Sequence, residues 1–158
     1  MAQSTYRVGI DLGTTNCVVS YLSAEFNVTK VLSSPSLLSI PQCMADGSVQ
    51  EFTHLPSAIY LIANDENLEP VLPWSVAGRG EDKDKIVGVG ALALGQRRAS
   101  QLVQSAKSWL SHRQVDRRSN ILPWGSDIVK KLSPLDASRA LLAHIRASWN
   151  HQFPDAPL

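Results

Sequence analysis

Gly9-Ile10-Asp11-Leu12-Gly13-Thr14-Thr15-Asn16 decides how this chain is read. Tyr6 to Ile10 alternates well enough to predict a strand. Cys17-Val18-Val19-Ser20-Tyr21-Leu22 predicts its antiparallel partner. Between them lie an aspartate, a glycine, two threonines and an asparagine. Gly13 has no Cβ, so the backbone can come close to a ligand there. The amides around Thr14 and Thr15 can then converge on one anion, and their hydroxyls add donors. Asp11 ends the first strand with a carboxylate suited to a hydrated magnesium ion, which keeps most of its waters and takes one or two carboxylates. The stretch therefore predicts a phosphate-and-cation turn on a hairpin. It differs from the strand-to-helix phosphate loop, because G-x-x-x-x-G-K-[ST] does not occur in the chain.

The rest of the chain bounds the possibilities. Its 158 residues are 44% hydrophobic and 18% charged, enough for one soluble domain with a core. A net charge of +1 gives no electrostatic case for nucleic acid or an anionic membrane. Met1 to Thr5 lacks the features of a signal peptide, and no apolar run has the length of a membrane span. A cytoplasmic protein is expected, with Cys17 and Cys43 reduced. No zinc-ligand spacing occurs. Cys17 reads as a small buried apolar group.

Along the chain, Asn27 to Leu32 is expected as a third strand, making an antiparallel meander. Asp46-Gly47 predicts a second hairpin between Pro41–Met44 and Val49–Phe52. Leu55 to Ile62 predicts a strand with Pro56 at its start. Residues 63–85 read as a loop inserted in the domain, with Trp74 as a local anchor. Ala91 to Leu94 predicts a short helix ending near Gly95. Leu102, Val103, Ala106, Trp109 and Leu110 have the spacing of one helix face, so a helix is expected over 99–112. Arg113 to Ser119 reads as a basic surface turn. Ser133-Pro134-Leu135-Asp136 begins a helix with an N-cap, a first-position proline and an acid at the positive end. Leu141, Leu142, Ile145 and Trp149 are its expected buried stripe.

Gly9 to Cys17 resembles the first phosphate motif of the actin-like ATPase superfamily, and with Asn16 and Cys17 it is most similar to the heat-shock seventy (DnaK-type) chaperones. Leu55-Pro56-Ser57 resembles the strand that follows the meander in that family. Val87-Gly88, then Ser105-Ala106-Lys107-Ser108-Trp109-Leu110, resembles its V-G-x-x-A … A-K-R segment. Ser108 stands where the family prefers arginine. The resemblance implies an α/β chain with the actin-like (ribonuclease H-like) fold, residues 1–158 forming the N-terminal portion of a nucleotide-binding domain. It implies ATP or ADP with Mg2+ as cofactors. Gly13, Thr14, Thr15 and Asn16 would bind phosphate, Asp11 would hold the metal through water, and Lys107 would act on the γ-phosphate. Unfolded-protein clients and co-chaperones are implied as partners, in a stress-response role. No second D-x-G-G-G-T loop or adenosine-binding segment follows. Losing about three charge-assisted hydrogen bonds, roughly 4–9 kcal/mol, would lower ATP affinity by about three decades or more and leave this chain catalytically incomplete. A small-molecule kinase of the same superfamily and a non-hydrolysing interaction module are the alternatives.

Overall fold

The computed structural model describes residues 6–23, 34–75, 84–126 and 130–158. Strand β1 (Tyr6–Leu12) and strand β2 (Asn16–Ser23) form the expected hairpin, in a register that sets Leu12 opposite Cys17 and Ile10 opposite Val19. Beside β2 lie β3 (Ser36–Leu37) and, at its start, β6 (Leu55–Pro56), both antiparallel. The third strand expected at 27–32 lies outside the described residues.

The second hairpin is present as β4 (Ile40–Cys43) and β5 (Val49–Phe52). Asp46 closes its turn by accepting hydrogen bonds from the Ser48 amide at 2.9 Å and hydroxyl at 2.6 Å, and Gly47 takes the positive φ of 83° that glycine allows.

A third sheet forms the centre: β7 (Ala58–Leu61) between β8 (Lys85–Val87) and β9 (Leu102–Gln104), all antiparallel. Every residue of β7 is buried because both faces are covered. Ile59 and Leu61 join a core with Cys17, Val19, Leu38, Ile145 and Trp149. Ala58 and Tyr60 join a second core with Cys43, Leu72, Ile86, Ala91 and Leu94. Helix α1 (Val89–Gly95) packs on the second core. Its approach is close: a Cβ on Gly90 would run into the Cys43 carbonyl.

The helix expected over 99–112 does not form as one element. Residues Ala99–Gln101 make a 3-10 turn, Leu102–Gln104 is β9, and only Ala106–Leu110 is helical, as α2. Pairing with β7 takes the first half of the segment. Leu102 packs against one core and Val103 lies in the other, so two residues that look like neighbours on a helix face are alternate residues of a sandwiched strand. Ser105, at φ 52°, breaks the chain between strand and helix.

Helix α3 (Pro134–Gln152) begins as its sequence requires: the Ser133 hydroxyl accepts from the Asp136 amide at 3.0 Å, with Pro134 in the first turn. Its buried face is Ala137, Leu141, His144, Ile145 and Trp149. Leu142, expected in the stripe, is 40% exposed; the helix turns it away from the sheets. Trp149 meets Tyr6 and Tyr21 edge-on at 5.4 Å each, and Phe153 closes the group at 4.5 Å from Trp149. This aromatic box joins the helix end to the β1–β2 hairpin.

Residues 63–75 are irregular in backbone yet well anchored. The Tyr60 hydroxyl donates to Glu66 at 2.6 Å, and the Gln101 amide donates to Glu66 at 2.8 Å and to the Leu61 carbonyl at 2.7 Å. Arg98 grips Asp65 with both terminal nitrogens at 3.1 Å. Trp74 packs edge-on against His144 at 5.2 Å, so α3 is what this tryptophan is anchored to. No helix among the described residues is long and apolar enough to cross a membrane.

Candidate phosphate and cation site

The turn expected to bind phosphate lies between β1 and β2 and carries Gly13, Thr14 and Thr15, with Asn16 opening β2. Thr14, Thr15 and Asn16 are exposed and Gly13 is half-buried. The reason for glycine differs from the one its sequence suggests. A Cβ at position 13 would run into the Asn16 carbonyl, so glycine is needed first to let the turn close on itself.

Ser57 fixes the turn. Its amide donates to the Thr15 carbonyl at 2.8 Å, and its hydroxyl donates to the Gly13 carbonyl at 2.7 Å. Two carbonyls of the turn are thus drawn inward, toward β6 and β7. Among the described residues, the amides of Thr14 and Thr15 have no hydrogen-bond partner. A turn whose carbonyls are satisfied from behind and whose amides remain open is a surface that favours an anion. Ser57 went unassigned in the sequence; the only sign of it is its place directly after Leu55-Pro56.

Lys107 reaches this neighbourhood through the central sheet. Strand β9 pairs with β7, the left-handed Ser105 redirects the chain, and Lys107 stands exposed in the first turn of α2, next to buried Ala106. Ala106 and Cys17 belong to the same core. The Cys17 thiol touches the Ser57 hydroxyl at 3.4 Å. Burial pushes the pKa of this thiol up; the Ser57 hydrogen bond opposes that, the Asp11 charge raises it and the Lys107 charge lowers it. Both Asp11 and Lys107 therefore lie within electrostatic range of one sulfur atom. The fold brings Ser57 onto the Gly13 to Asn16 turn across 44 positions of sequence.

Among the described residues, no group of three or more His, Cys, Asp or Glu could hold a metal ion. A cation at this turn would have Asp11 as its protein ligand, with water and phosphate oxygens completing the shell, as suits magnesium rather than calcium or zinc. A hollow of about 240 Å³ lies elsewhere, on the hairpin face between Arg7, Gly9, Ser20 and Pro35. Gly9 is part of its lining, and it does not include the turn.

A second polar residue that the sequence did not single out is Gln42. It is fully buried; its amide donates to the His54 carbonyl at 2.8 Å and its oxygen accepts from the Val89 amide at 2.9 Å. It ties the second hairpin to the start of α1 and has a structural role. No protein-family model matches the chain, and no curated protein matches it.

Proposed function

We propose that this chain binds the phosphates of Mg-ATP at the Gly13–Asn16 turn, as part of an actin-like ATPase of the heat-shock-seventy type. The supporting observation is the Ser57 clamp: it binds the Gly13 and Thr15 carbonyls and leaves the Thr14 and Thr15 amides without a partner among the described residues, while the charges of Asp11 and Lys107 both act on the Cys17 thiol. In this reading the amides of Thr14 and Thr15 and the threonine hydroxyls donate to phosphate oxygens. Asp11 orients the waters of the magnesium ion, and the ion neutralises phosphate charge. Lys107 places an ammonium where charge develops on the transferred phosphoryl group. Chaperone action on unfolded clients follows from the family resemblance of the motifs.

The test is a titration of the chain with Mg-ATP, followed by amide chemical shifts. Perturbations centred on Gly13 to Asn16 and on Lys107, reduced by Asp11→Asn, are the expected result. Shifts confined to other parts of the molecule, or none at millimolar nucleotide, would overturn the assignment.

A further inference from the structure

Ser105 alone among the described non-glycine residues has a positive φ, and it stands two positions before Lys107. It begins α2 at φ 52° and ψ 34°. A helix ordinarily begins from an extended residue whose side chain caps the first turn, as Ser133 does for α3 at φ −77° and ψ 156°. The Ser105 hydroxyl makes no such bond. Serine is therefore not placed here as a cap, and a left-handed backbone is costly for any residue with a Cβ.

The chain on both sides of Ser105 is fixed. Strand β9 pairs with β7 as far as Gln104, opposite Ala58. Along β9 the faces alternate: Leu102 packs on the second core and Val103 lies in the first. An extended chain would carry Ala106 to the face of Leu102. Ala106 instead lies in the first core with Val103, each 2% exposed. One left-handed residue makes that change of face, and the Ser108 amide closes the first turn of α2 on the Ser105 carbonyl at 3.0 Å. Trp109, stacked on Trp124 at 5.1 Å, packs the helix against the same core. Lys107 leaves the chain between Ala106 and Trp109, and its charge is felt at Cys17, a member of that core.

We propose that Ser105 is a positioning residue for Lys107: its left-handed backbone returns the chain to the first core at Ala106 and so sets the direction from which the Lys107 ammonium meets the phosphates. This role rests on the phosphate-site reading and adds to it the turn that aims the lysine. Backbone strain of this kind persists only where the surroundings over-determine it, and it gathers at sites whose geometry matters.

Ser105→Val, Ser105→Asn and Ser105→Gly in the whole chain test it. Valine, branched at Cβ, opposes a positive φ, whereas asparagine and glycine accept it. Without nucleotide, nuclear Overhauser contacts from the Ala106 methyl to first-core side chains should persist in the asparagine and glycine variants and weaken about twofold or more in the valine variant. On titration with Mg-ATP, the valine variant should keep the parent's amide perturbations at Gly13 to Asn16 and lose about half or more of that at Lys107. A purely structural residue would move both together. The asparagine and glycine variants should restore the Lys107 response. Ala106 contacts unchanged in the valine variant, turn and Lys107 responses that fall together, or asparagine and glycine variants that behave like valine would each overturn the proposal. A parent silent at the turn would overturn the phosphate-site reading instead, with the Ala106 contacts still deciding whether Ser105 sets the path to Lys107.

Discussion

Ser57 and Gly13 are joined by a hydrogen bond of 2.7 Å from the serine hydroxyl to the glycine carbonyl, across 44 positions of sequence. The bond is short, partly buried and backed by the Ser57 amide on Thr15. It ties the hairpin turn to the link between β6 and β7, where Ser57 sits. An anion site gains from such support, since donors already held in place need not be ordered on binding.

Ser57→Ala should therefore separate two effects. The Gly13 carbonyl loses its donor and the Cys17 thiol its neighbour, costing about 1–2 kcal/mol of stability in urea unfolding. Mg-ATP affinity should fall about fivefold or more in calorimetry, because the turn loses its preferred shape. A variant equally destabilised but with unchanged affinity would show that the clamp serves folding alone.

Lys107→Ala makes a different demand. Lys107 is exposed, so its removal should leave the melting temperature within a degree or two of the parent, surface changes being worth about 0.5 kcal/mol or less. In a hydrolysing form of the protein, turnover should drop by about 10²–10³ while nucleotide remains bound, as expected for loss of one charge-stabilising donor. Turnover at the parent rate would return Lys107 to the role of a solvated surface lysine.

The hairpin, the Asp46-Gly47 turn and the capped start of α3 were legible because each is written locally, in alternation, turn residues or capping residues. The candidate site was legible only where its residues lie together in the chain. Asp11 and Gly13 to Asn16 are contiguous, so their joint chemistry shows in the chain. Ser57 acts through a bond that spans 44 positions of sequence, and its place after Leu55-Pro56 marks a strand start, not a clamp on the turn. The segment from Ala99 to His112 misled for a related reason. Its apolar spacing satisfies a helix, but Leu102 and Val103 serve two different cores on opposite faces of β9. A strand covered on both faces loses the alternation that would announce it. Leu142 shows the opposite limit: an apolar residue near a buried face can still point outward, and single exposed leucines are common.

Trp149→Ala should be the most damaging single change in the aromatic box. The residue is 1% exposed, meets Tyr6, Tyr21 and Phe153, and donates its indole N–H to the Ala156 carbonyl at 2.8 Å. Truncation leaves a large cavity and an unpaired carbonyl, a loss of about 3–5 kcal/mol. Thermal unfolding should shift down by roughly 6–20 °C, taking about 2–4 °C per kcal/mol for a chain of this size. Trp149→Phe should recover more than half of that loss.

Glu66 gives the fold an acid-sensitive clasp. Burial works against its charge, but hydrogen bonds from the Tyr60 hydroxyl, the Ala63 amide and the Gln101 amide, with the Arg98 charge nearby, outweigh burial and hold its pKa below the ordinary glutamate range. A carboxyl group with a depressed folded-state pKa stabilises the fold above its unfolded-state value, and that contribution is lost as pH falls through the folded-state value. Stability should thus decline below about pH 4.5, starting where an unfolded glutamate begins to bind protons. Glu66→Gln should cost about 1–2 kcal/mol at pH 7, because the new amide faces donors that need an acceptor. It should also flatten the fall in stability between about pH 4.5 and 3, a range where the parent keeps losing this contribution. Urea unfolding of both proteins at several pH values gives the comparison. Parallel curves, displaced by a constant amount, would mean that the proton uptake of the parent in this range belongs to other carboxylates, Asp65 on Arg98 being the next in line.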